Sequence, residues 1–311
     1  MTGQKVLVTG GAGFIGSHLT AALVNAGAHV VIYDNLSTGR QENVPRGAEL
    51  IKADMLDCTR LRLAVAEADI VVHLAARVSI RASMDSFYED AETNLMGTLN
   101  LLRALRGSHV SKLVFASSMA VYADMDGQPS IKETYTTEPI SAYGISKLAA
   151  EKYLLLLGRT LGIKVAVLRY FNTYGPGQRY TPYVGVVTIF INRLLKNEPI
   201  VVYGTGEQRR DFVSVYDVVR CTMAAMNWPG DAGIFNVGSG KATSVNDLAG
   251  MIIRKLAPGA KAVHEAEQDG EIKNSIADIG HARTTLGYRP SDQLADFLDA
   301  IIAAHKASPT V

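Results

Sequence analysis

Short apolar runs alternate with longer helical patterns through the first half of this 311-residue chain. Two of the helical patterns are HLTAALVNAG (18–27), with Gly27 as its C-cap, and AYGISKLAAEKYLLLLGRTLG (142–162). The runs predicted to be fully buried strands are KVLVTG (5–10), HVVIYD (29–34), AELIKAD (48–54), DIVVHLA (69–75), KLVFASS (112–118) and KVAVLRYF (164–171). Buried strands separated by helices predict an α/β fold with a doubly wound parallel sheet of Rossmann type.

The regular alternation stops near residue 175. The following stretch contains turn signals, one helix and short strands, and a strand and a helix return at IFNVGSG (234–240) and SVNDLAGMIIRKL (244–256). We predict a nucleotide-binding domain over residues 1–175 and a smaller mixed α/β substrate domain over 176–311. The strand near 234–238 is expected to rejoin the first sheet.

Charge and composition narrow the classes of partner. Lys and Arg (31) nearly balance Asp and Glu (30), which argues against nucleic acid. The two cysteines, Cys58 and Cys221, have no disulfide or metal-site spacing, and we expect no metal. The N-terminus has no signal-peptide pattern, and no apolar run approaches the ~18 residues of a membrane span. A cytoplasmic protein without a membrane partner is the expectation.

Three glycines and one aspartate predict the nucleotide. Gly10, Gly13 and Gly16 lie between a strand and a helix, where they permit a tight turn, close approach of a pyrophosphate and close helix packing. Such a pattern alone could be a structural turn. Asp34, however, ends the next strand, where a carboxylate binds both ribose hydroxyls of NAD and repels a 2′-phosphate. Arg40 could weaken that preference, but NAD is the predicted cofactor.

The predicted chemistry lies in SAYGISK. Tyr143 and Lys147 are four residues apart on a helix, so both project from one face. We expect the Lys147 ammonium and the positive charge of an oxidised nicotinamide to favour the Tyr143 phenolate. Ser117 and Ser118 end the preceding strand, where parallel sheets bind ligands. A Tyr-x-x-x-Lys spacing and a Ser-Ser pair also occur by chance, so the combination carries the prediction.

The motifs TGGAGFIGSH, DNLSTG, HLAA, FASSMAVY, SAYGISK and LRYFNTYGPG together resemble the extended short-chain dehydrogenase/reductases. Within them the chain is most similar to NAD-dependent nucleotide-sugar epimerases of the UDP-glucose 4-epimerase type, from about residue 5 to Pro290. The resemblance implies a UDP-sugar substrate and a homodimer built from the helix around 90–106 and the helix of Tyr143. It also implies a catalytic set of Ser118, Tyr143 and Lys147, with Tyr143 as the base.

The resemblance further implies two sets of binding residues. The NAD site would comprise Gly10, Gly13, Phe14, Ile15, Gly16, Asp34, Asn35, Ser37, Gly39, Asp54, Met55, Leu74, Ala75, Ala76, Asn94, Ala116, Tyr143, Lys147 and Tyr170. The nucleotide-sugar site would comprise Ser79, Ser118, Tyr143, Asn172, Val187, Val201, Tyr203, Arg210, Gln268 and Glu271.

Three features of the sequence depart from the family pattern or refine it. Gln268 stands where most relatives have a second diphosphate-binding arginine, and Glu271 stands where they have aspartate. The loss of one bidentate contact is expected to weaken phosphate binding, unless Arg209 or Lys273 compensates. Ser275 is small enough to leave room for an N-acetyl group at C2 of the sugar. The Met119-Ala120 pair lacks the acids of the related dehydratases and decarboxylases, which argues against both.

The predicted function is therefore inversion at C4 of a nucleoside-diphosphate sugar, with a UDP-hexose in plain, N-acetylated or uronic form as the expected substrate. A nucleotide-sugar reductase or dehydrogenase that exchanges its cofactor is an alternative from the same superfamily. A catalytically silent NAD-sensing protein is the alternative from another class, and the intact Ser118, Tyr143 and Lys147 set argues against it.

Overall fold

A computed structural model of the chain describes residues 1–123, 129–180, 185–267, 273–291 and 293–307. The strands are β1 (Lys5–Thr9), β2 (His29–Asp34), β3 (Ala48–Lys52), β4 (Ile70–His73), β5 (Lys112–Ser118), β6 (Lys164–Tyr170), β7 (Asn172–Tyr174), β8 (Val201–Tyr203), β9 (Arg209–Ser214), β10 (Ala232–Val237), β11 (Ala242–Ser244), β12 (Val263–Glu265) and β13 (Asn274–Ser275).

The α-helices are α1 (Phe14–Asn25), α2 (Cys58–Ala66), α3 (Ile80–Asp85), α4 (Phe87–Ala91), α5 (Gly97–Ala104), α6 (Ala142–Leu161), α7 (Val186–Leu195), α8 (Val215–Asn227), α9 (Val245–Leu256), α10 (Gly280–Leu286) and α11 (Leu294–Ala307). A π-helical turn, Glu92–Met96, joins α4 to α5. Among the helices of the described segments, none is both long and apolar enough to cross a membrane.

Seven parallel strands form the main sheet, in the order β10-β6-β5-β4-β1-β2-β3. This order reverses direction beside β1, as in doubly wound nucleotide-binding folds. The predicted Rossmann-type fold with a smaller C-terminal part is confirmed. β10 pairs with β6 in parallel, so a strand from the second half of the chain completes the first sheet.

The central strands are apolar on both faces because each face packs against helices. Val6 and Val8 of β1 lie in one core with α1 and α8, whereas Leu7 lies in the other core with α2, α5 and α6. β3 departs from the prediction of a fully buried strand. It pairs only with β2, at the edge of the sheet, and its Glu49 and Lys52 are exposed.

Helix ends follow local capping chemistry. Ser141 precedes α6 and its Oγ accepts a hydrogen bond from the backbone N of Gly144 at 3.1 Å, while Gly162 ends the helix with a φ of +70°. α1 begins at Phe14, four residues before the predicted start, so its N-terminus directly follows the glycine loop. It ends at Asn25, and Gly27 follows the cap with a φ of +79°.

The C-terminal part is built on β9. This strand pairs with β7 and β13 in parallel and with β11 antiparallel, while β8 and β12 form a separate parallel pair. Apolar residues of α7, α9 and α11, such as Ile191, Leu248 and Leu298, form a third core beneath these strands. The domain boundary near residue 175 remains a prediction.

Candidate active site

The loop between β1 and α1 is shaped by its three glycines. A Cβ on Gly10, whose φ is +70°, would lie 2.7 Å from the backbone N of Ala75. A Cβ on Gly16 would lie 2.2 Å from the carbonyl O of Gly10. Gly13 differs, because among the described residues its Cβ would meet only that same carbonyl O, at 3.3 Å. The loop thus leaves the N-terminus of α1 open to an anion, as a dinucleotide pyrophosphate requires.

Asp34 ends β2 with its carboxylate held in place. Its Oδ2 accepts a hydrogen bond from the backbone N of Ala12 at 3.0 Å, and its Oδ1 accepts one from the backbone N of Leu36 at 2.8 Å. Arg40 pairs with Glu42 at 3.0 Å rather than with Asp34. The carboxylate therefore remains available for ribose hydroxyls, which fits NAD better than a cofactor with a 2′-phosphate.

The other residues predicted around the adenosine lie beside Asp34. Asn35 donates from Nδ2 to Oδ2 of Asp54 at 2.7 Å, and its Oδ1 accepts a hydrogen bond from the backbone N of Ser37 at 2.9 Å. A Cβ on Gly39 would lie 3.0 Å from Oδ2 of Asp34. Met55, the residue after Asp54, is buried. The structure brings this part of the predicted site together.

The end of β4 is fixed by a buried histidine that sequence reasoning did not assign. His73 lies between the hydroxyls of Thr9 (2.7 Å from Nδ1) and Thr98 (3.0 Å from Nε2). Burial lowers the pKa of His73 to about 3, with a smaller contribution from the positive charge of Lys147, so the ring is neutral. The backbone N of Ala75 donates to Oγ1 of Thr9 at 3.3 Å. Leu74, Ala75 and Ala76 are thereby held beside the glycine loop.

Asn94 holds the next part of this segment. Its Oδ1 accepts a hydrogen bond from the backbone N of Arg77 at 2.8 Å, and its Nδ2 donates to the carbonyl O of Arg77 at 3.0 Å and to Asp90 at 3.0 Å. Asp90 also accepts a hydrogen bond from the hydroxyl of Ser146 on α6 at 2.7 Å. The side-chain amide of Asn94 thus makes its hydrogen bonds to Arg77 and Asp90 within the protein. Asp90 is a buried carboxylate that was not predicted from the sequence.

The predicted catalytic residues meet where β5 ends against α6. The Ser118 side chain lies beside Tyr143 and acts to lower the pKa of its phenol. Lys147 donates from Nζ to the carbonyl O of Ala116 at 2.9 Å, and its Nζ lies 6.0 Å from the centre of the Tyr143 ring. Tyr143 and Lys147 are buried, whereas Ser118 is partly exposed. The structure therefore brings Ser118, Tyr143, Lys147 and Ala116 together.

Burial dominates the ionisation of this group. It raises the pKa of Tyr143 to about 12, although the Ser118 side chain acts in the opposite direction. Burial also lowers the pKa of Lys147 to about 8, opposed by the charges of Asp90 and Glu151. The ammonium of Lys147 is directed at the Ala116 carbonyl. That this ammonium and an oxidised nicotinamide together favour the Tyr143 phenolate therefore stays a prediction.

Two strands of the C-terminal part carry predicted substrate residues. Asn172 opens β7, directly after the end of β6, and its Nδ2 lies 3.5 Å from Oγ of Ser275. Arg210 on β9 is in register with Ser275 on β13, and its Nη1 donates to the carbonyl O of Lys273 at 3.2 Å. The structure therefore groups Asn172, Arg210 and Ser275 at the junction of the two parts of the chain.

Other predicted substrate residues are more dispersed. Val187 is buried in the C-terminal core, and Val201 and Tyr203 are half-buried on β8. Ser79 caps α3, its Oγ accepting a hydrogen bond from the backbone N of Ala82 at 3.0 Å. The buried hydroxyl of Tyr170 lies 2.8 Å from that of Thr222 on α8. Gln268 and Glu271 lie outside the described residues.

Asp211, next to Arg210, is a second buried carboxylate that was not predicted. Its Oδ1 accepts hydrogen bonds from the backbone N (2.6 Å) and hydroxyl (2.7 Å) of Ser239, and its Oδ2 from the backbone N of Gly240 (2.9 Å) and of Ala277 (3.1 Å). The bonds from Ser239 and Gly240 join β9 to the loop that follows β10, and the bond from Ala277 joins it to the segment that follows β13. They hold the backbone of Arg210 in a defined place relative to the main sheet.

Comparison with known proteins places this geometry in a family. The sequence model of the NAD dependent epimerase/dehydratase family matches residues 6–238. The UDP-glucose 4-epimerase of Mycolicibacterium smegmatis is 34% identical over 300 residues, which cover 94% of this chain and 96% of that protein.

Two solved structures have the same fold over nearly the whole chain. The UDP-glucose 4-epimerase of Thermotoga maritima, determined with UDP-glucose, is 35% identical with a TM-score of 0.94 and covers 98% of this chain and 100% of its own. The UDP-glucose 4-epimerase of Thermus thermophilus, determined with NAD, is 34% identical with a TM-score of 0.90 and covers 98% of this chain and 99% of its own.

Proposed function

We propose that this chain, which belongs to the NAD-dependent epimerase/dehydratase family, inverts the configuration at C4 of a nucleoside-diphosphate sugar, with UDP-hexoses as its substrate class. The observation that carries the proposal is the placement of Tyr143, buried beside Ser118 and Lys147 at the end of β5. β1 and β2 bring the glycine loop and Asp34 to one side of β5, and β6 leads to Asn172 on the other. A base such as Tyr143 that lies between a dinucleotide-binding loop and a diphosphate-binding site suits redox chemistry on a nucleotide-linked sugar.

The glycine loop and Asp34 fit NAD by shape and charge. The residues that would hold it are Gly10, Gly13, Phe14, Ile15, Gly16, Asp34, Asn35, Ser37, Gly39, Asp54, Met55, Leu74, Ala75, Ala76, Ala116, Lys147 and Tyr170, with Asn94 holding the loop beside it. When bound, NAD⁺ supplies a ring carbon that takes a hydride from the sugar and returns it, and a positive charge that favours the Tyr143 phenolate.

Tyr143 is the group that moves the proton. Its phenolate accepts the proton of the 4-hydroxyl while C4 is oxidised, and a transient 4-keto sugar results. Ser118 donates a hydrogen bond that orients the substrate oxygen, and the Lys147 ammonium balances the phenolate charge. After the keto sugar has turned its opposite face, Tyr143 returns the proton to O4. C4 is then inverted with no net change in oxidation state.

This mechanism requires firm contacts to the nucleotide and few to the hexose. Asn172 and Arg210 would bind the diphosphate, since a guanidinium matches phosphate oxygens. Val187, Val201 and Tyr203 would lie on the uridine side, with Ser79 at the sugar. The hydroxymethyl side chain of Ser275 leaves space for an N-acetyl group at C2. The roles of Gln268 and Glu271 remain predictions.

The test is interconversion of C4 epimers by the protein as purified, without added NAD. A panel of UDP-glucose and UDP-galactose, with their N-acetyl and uronic forms, should include at least one pair that equilibrates from either side. Accumulation of NADH, a stable keto product, or no interconversion of any pair would contradict the proposal.

Two alternatives give different outcomes in simple assays. A reductase or dehydrogenase with an exchanging cofactor would change the nicotinamide absorbance in proportion to substrate when free NAD is supplied, whereas an epimerase would not. A silent NAD-sensing protein would bind NAD but turn over no sugar in the panel, and a Tyr143→Phe variant would bind NAD equally well and keep any cellular role.

We also propose that the protein is a cytoplasmic homodimer. Ile145, Tyr153 and Leu156 form an exposed apolar face along α6, and Tyr88 and Met96 are exposed on the neighbouring helical segment. Burial of such a patch against a second copy removes apolar surface from water. Sedimentation should show a dimer for the natural chain and a monomer for Leu156→Asp. Leu63→Asp, which changes an exposed leucine of α2, should leave the dimer intact.

A further inference from the structure

One face of α6 contacts the last three residues of β5. Tyr143, Lys147 and Glu151 follow one another at single-turn spacing along the helix. Tyr143 lies beside Ser118, and Lys147 donates to the carbonyl O of Ala116. Glu151 accepts a hydrogen bond from the hydroxyl of Ser117, the residue between them. The predicted catalytic pair therefore has a third, acidic member on its own helix face.

Glu151 is held by an arginine on the next strand. Arg169 of β6 donates from Nε to Oε1 of Glu151 at 3.0 Å and from Nη2 to Oε2 at 2.7 Å. Both side chains are almost completely buried, at 2% and 1% exposure. Arg169 is also the register partner of Ser117, so the ion pair lies beside the end of β5. A bidentate, buried pair of this kind gives the carboxylate one defined position.

We propose that Glu151, held by Arg169, is a positioning residue of the epimerase site: it fixes the end of β5 through Ser117 and places a carboxylate one helical turn from the Lys147 ammonium. The proposal rests on the proposed function, because that function assigns Lys147 the task of balancing Tyr143. Glu151 itself contacts strand β5 and Arg169 and acts only through its neighbours.

The charges around Lys147 support this assignment. Asp90 from α4 and Glu151 from α6 both raise the pKa of Lys147, against the larger lowering by burial. His73 from β4 is neutral, and Arg169 from β6 is paired with Glu151. Without Glu151, Asp90 would be the one remaining carboxylate among the described residues that acts on the pKa of Lys147 in this way.

The expected pH effect follows from the coupled ionisation of Tyr143 and Lys147. The active form, a phenolate beside an ammonium, has lost one proton from the pair. The fraction of this active form grows as the pH rises to the pKa of Lys147, because the fully protonated pair loses a proton. Above that pKa the active form competes with a form in which Tyr143 is protonated and Lys147 is neutral. Both forms have lost one proton, so the ratio between them no longer changes with pH. A lower pKa of Lys147 therefore moves the plateau of kcat to lower pH and reduces its height by the same factor.

The test uses the double variant Glu151→Met/Arg169→Met in the NAD-loaded protein. Replacing both members with apolar side chains leaves no unpaired buried charge, so the fold should persist, as a thermal melt would check. The matched control is Lys255→Met/Asp299→Met, which removes an ion pair on the protein surface. The double variant also removes the Arg169 guanidinium, which offsets part of the effect of the Glu151 carboxylate. We therefore expect the kcat plateau to fall by about 3-fold and to begin about 0.5 pH unit lower.

A second readout is independent of turnover. NMR titration of ε-labelled lysine, with the Lys147 signal assigned by its absence in Lys147→Arg, should show the same downward shift in the variant and none in the control. An unchanged Lys147 titration midpoint, or an unchanged pH at which the kcat plateau begins, would overturn the assignment. If the natural protein turns over no sugar, the proposed function fails, and the lysine titration still decides the role of Glu151.

Discussion

Replacement of Gly16 by alanine should destabilise the protein, although the residue lies in a helix. In an ordinary helix interior, glycine to alanine is favourable by about 1 kcal/mol. Here the new Cβ would lie 2.2 Å from the carbonyl O of Gly10, 2.7 Å from the Cα of Gly11 and 2.9 Å from its carbonyl C. All three neighbours are backbone atoms, so relief requires a movement of about 1 Å between α1 and the loop.

The size of the effect follows from the same contacts. Overpacking costs about 1–3 kcal/mol, and a clash with backbone belongs at the upper end of that range. At about 2 °C per kcal/mol for a chain of this length, the melting temperature should fall by about 6 °C. NAD retention through gel filtration should also fall, because the loop that would hold the pyrophosphate must move.

Two matched glycines make the comparison decisive. Gly250 lies within α9, where, in the described part of the chain, a Cβ would meet only the end of the flexible Arg254 side chain at 3.3 Å. Gly250→Ala should therefore leave stability unchanged or raise it by up to ~1 kcal/mol. Gly13→Ala should keep the melting temperature and lose NAD, since its Cβ would enter the open side of the loop. A melting temperature for Gly16→Ala at or above that of the natural chain would refute the reasoning.

Three further predictions concern the site. Tyr143→Phe should lower kcat by about 10²- to 10⁴-fold in an epimer-interconversion assay while the KM for the sugar changes little, because the proton acceptor is lost but the binding groups remain; a smaller loss would exclude Tyr143 as the base. Asp34→Ala should weaken NAD binding by about 10-fold or more and reduce the preference for NAD over NADP, measured by isothermal titration; an unchanged preference would contradict its placement at the ribose. For the natural chain, kcat should rise about tenfold per pH unit and level off near pH 8, where Lys147 loses its proton; a fall in kcat across that range would contradict the assigned ionisation order.

Much of the fold was predictable because its signals are local. Ser141 and Gly162 bound α6 within one residue of the predicted helix, since a side-chain cap and a left-handed glycine act on the adjacent backbone. The apolar runs gave the strands of the main sheet, because a parallel sheet covered on both faces needs apolar residues on both sides of each strand. β3 was the exception: its sequence resembles a buried strand, yet its place at the edge of the sheet leaves Glu49 and Lys52 exposed.

The supporting residues of the site could not be predicted in the same way. Glu151 and Arg169 are not among the predicted site residues, because only the packing of α6 against β5 and β6 brings the two side chains together. Asp211 is bound by Ala277, 66 residues later in the chain. Asp90 acts on Lys147 from another helix. Such partners are selected by three-dimensional proximity, which no local pattern contains.

The sequence by itself determined the alternation of strands and helices, the glycine loop and the Tyr143–Lys147 spacing, because each depends on backbone geometry over a few residues. The tertiary structure decided the order of the strands in the main sheet and the ionisation of Tyr143 and Lys147. The last depends on burial: the pKa of Tyr143 rises and that of Lys147 falls because folding removes both from water, whatever their spacing along the helix.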